Sequence, residues 1–76
     1  MWVMQRFHFD VALGKVRISD DEGTRLPGYE DARHEAVEFA SLLCRNKVVR
    51  WVPRKGCRVV VQDANRRELF SVPFQP

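Results

Sequence analysis

Seventy-six residues, 45% of them hydrophobic and 30% charged, allow a single domain with a core built from few elements, and the apolar content excludes a disordered chain. Two cysteines are too few for a disulfide scaffold, and no apolar run approaches the roughly 20 residues of a membrane helix. The net charge of +3 conceals a division: residues 1–38 hold five basic and eight acidic side chains, net −3, while residues 39–76 hold eight basic and two acidic, net +6.

The opening Met1-Trp2-Val3-Met4 lacks the basic and apolar regions of a secretory leader. With so little cysteine, this points to a cytoplasmic protein with reduced thiols. Residues 1–4 are expected to form a loosely ordered extension of a single domain over 1–76, with Met4 as the native start.

Gln5 to Val11 alternates with period two: Phe7, Phe9 and Val11 on one face, Arg6, His8 and Asp10 on the other. That is the pattern of a half-buried strand. Ala12-Leu13-Gly14-Lys15 supplies a turn, and Gly14 can take positive φ. Val16 and Ile18 continue the inward face, which completes a first hairpin. Ser19 to Gly23 reads as an acidic, solvated turn.

Gly28 is a tolerable N-cap, and Glu30 and Asp31 place negative charge in the first helical turn, where the helix dipole favours it. At 100° per residue, Tyr29, Ala32, Ala36, Phe39, Ala40 and Leu43 share one stripe, with Val37 and Cys44 at its edge. The alanines suit close packing on a flat sheet. The helix is expected to end near Asn46, or to run on a turn to Val49. Residues 47–56 follow neither period, and Pro53 and Gly56 mark them as a connecting loop. Arg58 to Gln62 and Glu68 to Phe74 form a second hairpin around Asp63–Arg67. Pro73, with no N–H to donate, belongs at a sheet edge.

The expected fold is α+β, order ββαββ: one four-stranded antiparallel sheet with a single amphipathic helix packed on one face. Its outer face would carry Arg6, His8, Asp10, Lys15, Arg17, Arg58, Val60, Gln62, Leu69 and Ser71, polar enough to meet water.

Ile18-x-Asp20-x-Glu22-Gly23, then Leu26-Pro27-x-Tyr29-Glu30-x-Ala32-Arg33-x-Glu35-Ala36, Val59-x-Val61-x-Asp63 and Leu69-Phe70-Ser71-Val72-Pro73-Phe74 occur here in that order. With the opening Arg6-Phe7-His8-Phe9-Asp10, this series resembles a family of short stand-alone bacterial proteins known only as a domain of unknown function. The resemblance covers roughly residues 4–74 and resides in order and spacing. It implies a small bacterial domain and carries no activity, cofactor or catalytic residue with it. Two departures stand out: Gly28 takes the place of an acidic N-cap, and residues 1–3 precede the usual start.

Chemistry is sparsely represented. His8, His34, Cys44 and Cys57 show no metal-ligand spacing, and both histidines are expected on the surface. Ser19, Ser41 and Ser71 lack evident base partners, and neither cysteine is marked as activated. The expectation is a protein that is not an enzyme and has no catalytic, cofactor-binding or metal residues. Arg45, Lys47, Arg50, Arg54, Lys55 and Arg58 place six basic residues within fourteen, with Trp51 among them. Together with Arg6 and Arg17 they are candidates for anion or nucleic-acid contact through phosphate neutralisation and base stacking. Leu42, Val48, Val49, Trp51 and Val52 have no assigned place in the core and form a candidate interface. The functional expectation is therefore a protein-interaction or accessory role, with a homodimer or a small protein as partner. Weak, sequence-nonspecific nucleic-acid binding through residues 45–58 is the alternative.

Overall fold

The computed structural model describes residues 3–45 and 56–74. Within them the chain forms β1 (Gln5–Leu13), β2 (Val16–Ile18), β3 (Thr24–Leu26), α1 (Tyr29–Arg45), β4 (Cys57–Gln62) and β5 (Glu68–Pro73). The α+β class and the single helix on one antiparallel sheet are as expected. The sheet has five strands rather than four, so the order is βββαββ. The added strand, β3, is three residues long, too short for a period of two to register in the sequence.

β1 organises the sheet. One of its edges pairs with β4, from His8 opposite Gln62 to Leu13 opposite Cys57. Its other edge is shared: Val11–Leu13 pair with β2 and Gln5–Phe7 with β3. β5 lies outside β4, giving the path β2-β1-β4-β5. Pro73 closes this edge strand, where its missing N–H costs nothing. Gly14 and Lys15 join β1 to β2 as a two-residue turn. Gly14 alone of the pair has positive φ, at 64°, the pattern of a type II′ turn. Gln62 pairs with Glu68 after a register shift, which leaves Leu69 as the extra residue of a bulge.

The core lies between α1 and the inner sheet face. Phe7, Phe9, Val11, Val59, Val61 and Phe74 are buried against Ala32, Ala36 and Ala40. The helix turns a narrower face inward than the wheel suggests. Its buried row is Ala32, Ala36, Ala40 and Cys44, spaced i, i+4, i+8, i+12. Cys44 is thus buried at the end of this row. Val37 is exposed, and Phe39 and Leu43 are only partly buried. Tyr29 is also largely exposed, yet its ring meets Phe70 at a centroid distance of 4.9 Å, tilted by 56°. Gly28 acts as the helix start, its carbonyl accepting from Ala32 N–H at 3.1 Å.

α1 packs over β4 and β5, to one side of the sheet. This offset corrects the expectation for Val16 and Ile18. They stand opposite Leu13 and Val11, on the inner face, but they are 60% and 53% exposed because no helix covers them. The outer face needs the opposite correction. His8, Asp10, Val60 and Gln62, expected to meet water, are buried.

Candidate functional site

His8 and Asp10 lie under the β2–β3 connection, which folds back on β1. Between the segments that pair with β2 and β3, one edge of β1 has no strand neighbour, and Asp20 occupies the gap. Its carboxylate accepts from Phe9 N–H at 3.0 Å and from Gly23 N–H at 3.1 Å. Its carbonyl accepts from His8 Nδ1 at 2.6 Å. A carbonyl oxygen can only accept, so Nδ1 carries the proton. Gly23 has φ 73°, and a Cβ there would lie 2.7 Å from the Phe7 carbonyl oxygen. Only glycine lets the chain rejoin the β1 edge at this point. Arg6 donates to the Glu22 carbonyl across the same loop.

Asp10 is the centre of this arrangement. Oδ1 accepts from Asp20 N–H at 2.9 Å and Arg66 Nη1 at 3.4 Å. Oδ2 accepts from Gln62 Nε2 at 3.2 Å and Arg17 Nε at 3.3 Å. A carboxylate offers about four acceptor sites, and all four are used. Arg66 also donates to Gln62 Oε1, Ser19 Oγ and Asp21 Oδ1. It reaches them from a left-handed backbone conformation, φ 67°, uncommon for a side chain of this size. The turn is held by Asp63, whose carboxylate accepts from Asn65 N–H at 2.8 Å and Arg67 N–H at 3.0 Å. Among the described residues, no buried side-chain nitrogen or oxygen is without a partner. This constellation binds three strands and two connecting loops to one another and uses every acceptor site of Asp10.

The open strip of the inner face is a different kind of surface. A groove of about 380 Å³ runs beside α1. Its floor is Phe9, Val11 and Ile18, and its wall is Glu35, Glu38, Phe39 and Leu42. Those four helix positions are spaced i, i+3, i+4, i+7 and share one face. Leu42 is 62% exposed, and Val16 stands exposed in β2 beyond Ile18.

The sequence-derived candidates fall into different places. Leu42, named for an interface, lines the groove; Val48, Val49, Trp51 and Val52 lie outside the described residues, as do Lys47, Arg50, Arg54 and Lys55. Any helical continuation to Asn46 or Val49 lies outside them too. Arg17 is held by Asp10, and Arg6 by the Glu22 carbonyl. Arg45 folds back on Ser41, its Nε 3.4 Å from the carbonyl oxygen. Arg17 and Arg58 flank Ala12 in one row across the outer face. Sequence reasoning missed the roles of Asp10, Asp20, Gln62 and Arg66, which depend on contacts more than 40 residues apart for Gln62 and Arg66 with Asp10. It also missed Ile18 as a surface residue, since period two reports the face and not what covers it.

His8 is buried, against expectation, and His34 is exposed, pairing with Glu38 at 3.2 Å. Among the described residues, no three His, Cys, Asp or Glu side chains gather as a metal site, and no helix is long and apolar enough to cross a membrane. No curated protein and no solved structure matches the chain. Residues 6–75 match a family described as a domain of unknown function, DUF6894. The match takes in the helix and every described strand apart from Gln5 at the start of β1, and the chain belongs to that family.

Proposed function

We propose that this is a non-catalytic protein-interaction domain with an accessory role, and that its working surface is the open strip of the inner sheet face. One observation carries the reading: Val16, Ile18 and Leu42, large apolar side chains on β2 and α1, are all more than half exposed, beside a groove with an apolar floor. Scattered single apolar residues on a surface need no explanation, but a contiguous group beside a groove marks a contact surface. The saturated carboxylate of Asp10 supports the non-catalytic part, because the most buried acidic group is fully used in holding the fold. The setting that goes with it is the bacterial cytoplasm, as the low cysteine usage and the family resemblance imply.

Cross-linking in the native cell tests this reading, with the wild-type chain compared with an Ile18→Asp, Leu42→Asp double variant. The set of captured neighbours should shrink in the variant. Identical sets would contradict it. Light scattering over a concentration series separately tests self-association, and a strict monomer at high concentration counts against a homodimer.

Weak nucleic-acid binding is the second reading. It is favoured by Arg58, the last of the basic run that begins at Arg45, lying in one row of the outer face with Arg17. Retention in a low-salt mobility shift should fall when Arg50, Arg54 and Lys55 are changed together to Ala, and unaltered retention would remove this reading.

A further inference from the structure

We propose that the partner taken up by the open strip is a basic amphipathic helix, lying on the sheet beside α1. This rests on the interaction reading above and adds the chemistry of the partner.

The shape argument begins with the offset of α1. The helix lies over β4 and β5, and the inner face of β1 is buried at its flank, but Val16 and Ile18 of β2 remain exposed across the groove from Leu42. Exposed apolar side chains therefore stand on both sides of the groove, β2 on one and α1 on the other, as the apolar stripe of a helix laid along it requires. A second helix set there would lie 8–10 Å from α1, the ordinary interaxial distance. Its apolar stripe would cover Val16, Ile18 and Leu42 and remove their exposed apolar surface from water.

The charge argument selects the sign. The groove is bordered by Glu35 and Glu38 on the helix side and by Asp20 on the sheet side, and none of the described residues lining it is basic. Among the described residues Glu38 pairs with the exposed ring of His34, and Asp20 is fixed by its bonds to Phe9 and Gly23. A helix flanked by Lys or Arg would neutralise this border. A second copy of α1 would instead bring its own Glu35 and Glu38 against the same carboxylates, and like charges so placed repel.

The test is a titration of the full chain at low ionic strength with three synthetic peptides. One is a leucine–lysine amphipathic helix, one its leucine–glutamate counterpart, and one a scrambled leucine–lysine sequence with no apolar stripe. Methyl resonances of Val11, Ile18 and Leu42 report the site, and far-ultraviolet circular dichroism reports peptide helicity. The lysine peptide should bind about tenfold more tightly than the glutamate peptide, shift those methyl groups and gain helix. Exchanging the charges with Glu35→Lys and Glu38→Lys, both on the exposed side of α1, should reverse the preference.

Failure of the lysine peptide to bind would overturn the proposal. So would equal binding of the scrambled peptide, shifts confined to residues away from the groove, or binding without a gain of helix. Equal binding of lysine and glutamate peptides in the groove would overturn the basic partner and leave the interaction surface standing. If the chain alone self-associated with concentration and shifted the same methyl groups, the occupant would be a second copy, and the basic helix would be rejected.

Discussion

The two faces of β1 are both buried, and they are buried by different means. On one, Phe7, Phe9 and Val11 are covered by packing with the helix and with β4. On the other, His8 and Asp10 are covered by a loop and bonded to it, and Asp10 also accepts from β2, β4 and the β4–β5 turn. Packing tolerates a change of shape within limits, because many small contacts share the load. A bonded carboxylate does not, because each removed partner leaves another polar group buried without one. The apolar face thus supplies most of the stability, and the polar face determines where the β2–β3 loop lies.

Substitutions separate the two. Phe9→Ala should have the largest effect, a loss of about 3–5 kcal/mol in denaturant unfolding, because the side chain is buried and the cavity cannot collapse fully. Asp10→Ala should cost about 3 kcal/mol, chiefly from the stranded Gln62 amide and Asp20 N–H. The two arginines contribute little to that figure, being 42% and 40% exposed in their side chains and free to turn to water. Equal losses at Phe9 and at Val59→Ala, with none at Asp10, would show that the polar face is not structural.

Gly23→Ala should cost about 2 kcal/mol through left-handed strain, with the clash against the Phe7 carbonyl in addition. Arg66 sharpens the comparison. Glycine relieves its left-handed backbone while losing the guanidinium, and alanine loses the guanidinium alone. Arg66→Gly should therefore unfold about 1 kcal/mol later than Arg66→Ala. The smallest effect belongs to the open strip: Ile18→Ser and Leu42→Ser should each lie within about 0.5 kcal/mol of wild type. A larger loss would mean that these side chains belong to the core and are not available to a partner.

The sequence carried the packed face clearly. Alternation in β1 and in the second hairpin, and the helical spacing of Ala32, Ala36 and Ala40, each report a repeating geometry that neighbouring residues share. The polar face was less legible. Asp10 and Arg66 are 56 positions apart, and no local period links them. Asp20 within an acidic run reads as solvated charge, since its use as a substitute strand partner appears only when the β1 edge is in place. Burial of His8 follows from the same fold-back, which composition does not announce. The groove was half legible: Leu42 stood out as an apolar residue off the helix stripe. Ile18 did not, because its strand face was right and only its cover was missing.

Native-state amide hydrogen exchange on wild type and Asp10→Ala tests the central claim most directly. If Asp10 holds the loop while the apolar face holds the domain, the amides of Phe9 and Gly23, bonded to Asp20, should lose protection to a local opening. Those of Val59 to Val61 should exchange only by global unfolding, slowed in proportion to the remaining stability. Uniform loss of protection at all these positions, down to the reduced global stability, would contradict the division of β1 into a packed face and a bonded one. Unchanged protection at Phe9 and Gly23 would contradict it equally.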